Sequence, residues 1–303
     1  MIRHSMYCAI ALALPLAMPA TVRADTCHVT TAGNSGNSGA DWSSPLDLQS
    51  AIGSAACSEI WVAAGVYTPT TSPVEPDVSF RINREVAIYG GFNGTETARD
   101  ERDPRSNVTV LSGDIENDDV NDDGNGIAES YSDIIGSNSY HVVYVDGATL
   151  QPITSATVLD GFTISSGNAN GGLCPGTGCG GGMYNTGSSP TLTNLTFSGN
   201  SAGYSGGLYN TGSSPTGTNV TFSGNSAIIG GAMNNEGSSS PVLTNVTFSG
   251  NSATVGGAMY NLSSSPTIRN SILWGDSASY GPEIYNNVGS TPRISYSIVQ
   301  GSG

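Results

Sequence analysis

The feature that most constrains this chain is a repeat. From Gly181 onward Asn185, Asn210, Asn235, Asn261 and Asn286 recur at intervals of about 25 residues, and Pro190, Pro215, Pro241, Pro266 and Pro292 keep step with them. Phe197, Phe222, Phe248 and Leu273 do the same. A period in this range belongs to a solenoid or an array, because one such unit cannot bury its apolar face alone. Within each unit apolar and polar residues alternate, as in Thr191-Leu192-Thr193 and Leu195-Thr196-Phe197. That is the period of a strand and not of a helix. Short strands joined by turns rich in Asn, Gly and Ser predict an all-β fold, a parallel β-helix.

Coils of a β-helix stack at the inter-strand spacing of about 4.8 Å, so equivalent residues lie above one another. Leu192, Gly217, Leu243, Ile268 and Ile294 then form one inward ladder, with a gap at Gly217 that a neighbour must fill. Phe197, Phe222 and Phe248 form an aromatic stack, and Leu195, Val220 and Val246 a third ladder. Asn194, Asn219, Asn245 and Asn270 fall between two short strands, where the backbone must bend and Asn tolerates a left-handed conformation. Asn200, Asn225, Asn251 and Asp276 make a further column. Residues that repeat identically are expected to serve the fold.

Charge divides the chain. Its 9 basic residues are all Arg, against 24 acidic ones, for a net charge of −15. An acidic chain without Lys cannot neutralise a phosphate backbone, which excludes nucleic acid as a partner. All acidic residues but Glu236, Asp276 and Glu283 lie between Asp25 and Asp160. Residues 25–160 therefore read as a cap and irregular first coils with an acidic insertion, and 161–303 as regular, nearly neutral coils. Residues 1–24 read as an export signal: Arg3 and His4, then an apolar core from Ala9 to Ala20, then the small-x-Ala site Val22-Arg23-Ala24. No later apolar run reaches the roughly 18 residues that span a bilayer, so the mature chain is expected to have no transmembrane segment. Removing the signal leaves Cys27, Cys57, Cys174 and Cys179. An even count in an exported chain predicts disulfides. Of three connectivities, Cys27–Cys57 and Cys174–Cys179 keep each bond local.

In the first half, Asp47 to Ile52 reads as a short amphipathic helix, placed to cover the open apolar end that a solenoid exposes. Four segments follow that read as strands or as strands with turns: Glu59 to Tyr67, Val86 to Phe92, Val108 to Gly113 and His141 to Val145. The series Ile60-Trp61-Val62-Ala63-Ala64-Gly65-Val66-Tyr67, Tyr89-Gly90-Gly91-Phe92, Leu111-Ser112-Gly113-Asp114 and Leu159-Asp160-Gly161-Phe162-Thr163-Ile164 resembles bacterial right-handed parallel β-helix repeat proteins of the pectin-lyase-like superfamily. The later Gly-Gly-Ala-Met (Gly230 to Met233, Gly256 to Met259) and Phe-Ser-Gly-Asn motifs (Phe197 to Asn200, Phe222 to Asn225, Phe248 to Asn251) are similar to those of polymorphic outer membrane proteins. The resemblance implies a right-handed coil and a place at the bacterial cell surface. It admits lyases, hydrolases and non-catalytic adhesins. Such proteins commonly continue into further coils and a sorting segment, so the pattern ending at Gly303 reads as a truncated array.

Asp119, Asn121, Asp123 and Asn125 place oxygen ligands at alternate positions, with Glu129 just beyond; this is the start of a calcium loop. A lyase or hydrolase would need clustered carboxylates and a base. The best such set is Arg81, Arg84 and Glu85 with Asp114 and Glu116. Outward Thr columns, Thr193-Thr218-Thr244 and Thr196-Thr221-Thr247, are ordinary strand composition. Cys174 to Cys179 reads as a disulfide-closed loop projecting from the first regular coil. The expected function is a non-catalytic, exported, adhesin-like scaffold that binds host or cell-surface glycans or proteins. A polysaccharide lyase or glycoside hydrolase is the alternative.

Overall fold

A computed structural model describes residues 25–149 and 152–301. The segment read as an export signal lies outside the described residues. Every strand pairing in the three sheets is parallel, and each regular coil gives one rung to every sheet. The first sheet runs from Thr26–Val29 through Glu59–Ala63, Ala87–Phe92 and Val158–Asp160 to the long strands Thr191–Ser198, Thr216–Ser223 and Val242–Ser249, and ends at Arg293–Ser295. The second holds Asn168–Ala169, Ser201–Tyr204, Ser226–Ile229, Ser252–Val255 and Ser277–Tyr280. The third runs from Phe80–Ile82 through Val143–Asp146, Met183–Thr186, Leu208–Thr211, Met233–Glu236 and Met259–Leu262 to Ile284–Asn287. Long stacks of parallel strands with no closed barrel make this a parallel β-helix solenoid.

Register follows the repeat. Leu192 pairs with Gly217, Gly217 with Leu243, Leu243 with Ile268 and Ile268 with Ile294. The gap at Gly217 is filled by Leu243, whose Cδ2 stands 2.9 Å from where a Cβ would be. Phe197, Phe222 and Phe248 stack with centroids 4.8 and 4.9 Å apart and planes within 5°. They belong to one apolar core that extends from the first strand to Leu273.

Two buried amide columns run through the same interior. Asn185, Asn210, Asn235 and Asn261 each donate Nδ2–H to the Oδ1 of the next coil at 2.9 Å. Asn200 and Asn225 do likewise at 2.9 Å, and Asn251 donates to Asp276 at 2.7 Å. An unpaired amide in this core would cost several kcal/mol of the order set by transfer from water. Stacking identical amides removes that cost, since each rung supplies both the donor and the acceptor.

At the other end, the helix Leu48–Gly53 buries Leu48, Ala51 and Ile52 against the core. Asp47 caps it, accepting from the Ser50 N–H at 2.8 Å. Arg84 donates to the carbonyls of Ala51, Ile52 and Cys57, which serves the C-terminal groups a helix leaves unpaired. Cys27 and Cys57 are joined, as are Cys174 and Cys179.

Candidate functional site: an outer groove and the acidic loop beside it

Asn194, Asn219, Asn245 and Asn270 have φ of 49°, 55°, 55° and 51°. The left-handed bend splits each long strand in two, turning Leu195, Val220 and Val246 inward and leaving Thr196, Thr221 and Thr247 on the outer side. The Asn side chains stay outside as well. Asn219 donates to Asn194 at 3.1 Å, Asn245 to Asn219 at 3.2 Å, and Asn194 to Asp160 Oδ1 at 2.8 Å. These bonds run toward the N-terminal coils, the reverse of the buried ladders.

A loop fixed by arginine forms the wall beside this column. Arg102 donates to Asp160 Oδ2 at 2.6 Å and to the Gly90 carbonyl at 2.9 Å, and its guanidinium lies 5.2 Å from the Tyr89 ring centroid. Arg99 packs over the same ring at 4.7 Å and pairs with Glu59. Pro104 and Arg105 follow, beside the amides. The resulting groove has a volume of about 470 Å³ and is lined by Arg105, Thr163, Thr196, Asn219, Thr221 and Asn245, among others. It offers amides and hydroxyls repeated along the stacking direction, and the guanidinium of Arg105 at one side. The Asn and Thr columns were visible in the sequence. The Arg99-to-Asn107 wall was not, because contacts between residues far apart in sequence hold it, among them Arg102 to Asp160 across 58 residues and Arg99 to Glu59 across 40.

The acidic loop is arranged differently from the ligand spacing expected of it. Asn125 bonds both Asp123, at 2.7 Å, and Glu129, at 3.2 Å. Asp119 instead accepts from the Ile135 N–H at 2.7 Å and from Asn138 Nδ2 at 2.9 Å. Asn121 lines a neighbouring cavity of about 500 Å³ with Asp114 and Asp119. The carboxylates that converge, among the described residues, are Asp114, Asp118 and Asp119, each offering an oxygen within 4.8 Å of the others. Burial raises the Asp119 carboxyl above its ordinary value, and the Asp114 charge adds to the rise. The sequence spacing pointed to this loop; chain reversal at Asn117 (φ 56°) brings Asp114 back to Asp118 and Asp119, which a linear spacing rule does not anticipate.

The residues considered for polysaccharide cleavage have partners within the fold. Arg81 pairs with Asp146, and Arg84 serves the helix end. Glu85 accepts from Thr154 and Thr157, and Glu116 from the Ser137 N–H.

Comparison with known proteins finds no matching family model, no matching curated protein and no matching solved structure. Two disulfides fit an oxidising compartment. Among the described residues no helix is long and apolar enough to cross a membrane.

Proposed function

We propose that this chain is an exported β-helix scaffold of the pectin-lyase-like type, acting as an adhesin-like display and binding protein at a bacterial surface. The observation that carries the reading is the groove of about 470 Å³ over Asn194, Asn219 and Asn245. Its polar groups recur once per coil, so an elongated partner meets the same donors and acceptors several times along one side. Many modest contacts at fixed spacing suit a glycan chain or an extended protein segment. The packed coils supply rigidity, so the partner bears the larger share of the ordering cost. A glycan array probed with the purified chain tests this. Binding that weakens in Asn219→Ala supports the groove; release of unsaturated uronate from pectin or alginate would replace display with lyase chemistry.

Calcium enters this proposal through Asp114, Asp118 and Asp119, where carboxylates converge. Thermal unfolding with calcium and with chelator is the check. A midpoint that rises with calcium supports a metal-stabilised loop, since a ligand that binds only the folded state stabilises it. An unchanged midpoint at millimolar calcium makes the loop a solvated insertion.

A further inference from the structure

A second concavity lies on the third sheet, away from the Asn groove. Tyr144, Tyr184 and Tyr209 occupy successive rungs on the outer side of that sheet, opposite the core-facing Val143, Met183 and Leu208. The Tyr184 and Tyr209 rings stack at 5.3 Å, and Tyr144 meets Tyr184 edge-on at 5.1 Å. His141 packs 5.2 Å from Tyr184. Its Nδ1 lies 3.1 Å from the Gly180 carbonyl, which only accepts, so Nδ1 carries a proton, and burial lowers its tendency to take a second. The loop closed by the Cys174–Cys179 disulfide brings Pro175, Gly176 and Thr177 over this aromatic wall. With Asp77, Ser79, Arg81, His141, Tyr144 and Tyr184 they line an open cavity of about 550 Å³, and Tyr209 lies buried behind Tyr184.

The polar groups around the cavity are not used up by the fold. The Tyr144 and Tyr184 hydroxyls take no hydrogen bond among the described residues, and Ser79, 8% exposed, has a buried hydroxyl without a partner. Asp77 is exposed. Arg81 is half exposed, packs 4.9 Å from the Tyr144 centroid and spends one N–H on Asp146. An aromatic wall beside a carboxylate, a guanidinium and hydroxyls is matched by a ligand with an apolar C–H face and a rim of hydroxyls. The volume is that of a small-molecule site. Charge narrows the class. Arg81 is already paired with Asp146, Asp77 adds a negative charge, and the chain carries −15 overall, so an acidic sugar would be repelled.

We propose that this cavity is a binding site for a neutral pyranose, with the ring packed against the tyrosine wall and its hydroxyls shared between Asp77 and Arg81. It is independent of the Asn groove, and the two are tested separately. Saturation-transfer NMR on the full chain with the methyl glycosides of glucose, galactose, mannose and N-acetylglucosamine, and with galacturonate, reads the site directly. At least one neutral glycoside should take up saturation at millimolar concentration, and galacturonate should not. Asp77→Asn, an exposed change, and Tyr144→Ala should each weaken that binding about tenfold. A thermal midpoint for Asp77→Asn equal to that of the unaltered chain separates lost binding from lost folding. The proposal is overturned if no neutral glycoside is saturated, if galacturonate binds better, or if Asp77→Asn binds as the unaltered chain does. Loss in Asn219→Ala alone would move sugar binding to the groove and equally overturn it.

Discussion

At the scale of single residues, the same amino acid does two different jobs in this chain. Asn210 is fully buried and stands between Asn185 and Asn235, accepting from one and donating to the other at 2.9 Å. Asn219 is exposed, holds φ at 55°, and bonds a neighbour that water could equally serve. Removing the Asn210 amide strands a donor on Asn185 and an acceptor on Asn235, both out of reach of water. Asn210→Ala is therefore expected to lower unfolding stability by about 3 kcal/mol. Asn219→Gly keeps the left-handed backbone and exposes only replaceable bonds, so it should stay within about 0.5 kcal/mol of the unaltered chain. Denaturant midpoints at unchanged slope give the comparison. Equal losses from the two changes would mean that burial of the ladder is not what makes it matter.

At the scale of elements, what the sequence shows depends on whether a strand has an apolar face. The first sheet was legible because Leu, Val, Ile and Phe recur at core positions; in the third only the strand at Val143–Asp146 was, and Met183–Thr186, Leu208–Thr211 and their counterparts were not. Strands of the second sheet, such as Ser201–Tyr204 and Ser252–Val255, offer Ser, Ala and Gly with little alternation to read. They pair because the coils on either side are already in register. The end of one buried ladder was half hidden: Asp276 stood in the column read from the repeat, and Glu283 beside it did not. Asp276 replaces Asn as the last acceptor, and Glu283 takes the position held in earlier coils by Gly207, Ala232 and Ala258. The two carboxyl groups lie within hydrogen-bonding reach of each other and both are nearly fully buried, with the Asp276 and Gly275 backbone N–H groups also facing Glu283. Burial raises both, and the neighbouring Asp276 carboxylate adds to the rise that puts Glu283 at about 8. No other titratable group contributes to either shift. One proton held between them completes the ladder. A carboxyl raised in the folded state favours folding fully below its ordinary range and loses that contribution as pH rises toward 8. Protection of the Ser277–Tyr280 amides, corrected for intrinsic exchange, should fall over that window by up to about 1.4 kcal/mol per pH unit. Glu283→Gln, whose amide donates at every pH, should remove the slope and keep the coil. A slope that persists in Glu283→Gln would assign the effect to other groups.

At the scale of the whole molecule, a solenoid is held together by nearest neighbours, so its ends have half the support of its middle. The cap compensates at the N-terminal end. Cys27 sits in the first strand and Cys57 just before the second, with the helix Leu48–Gly53 in between, so one bond ties strand, helix and strand together. The pairing was readable from local spacing and the cap from the amphipathic Asp47 to Ile52; that the bond ties the cap to two neighbouring strands was not, because only the fold pairs Thr26–Val29 with Glu59–Ala63. Loop-closure entropy over a separation of 30 residues is worth about 3.5 kcal/mol, against about 2 kcal/mol for the separation of 5 at Cys174–Cys179. Because coupling decays from coil to coil, the first loss should stay near the cap. Reduction, or Cys57→Ser, is expected to lower the unfolding midpoint reported by Trp42 and Trp61 while leaving that reported by Trp274 nearly unchanged. Cys174→Ser with Cys179→Ser should leave both reporters close to their original midpoints and loosen only the loop over the tyrosine wall. A single transition that moves all three tryptophans together after reduction would show that the coils unfold as one unit and that the cap stabilises the entire stack.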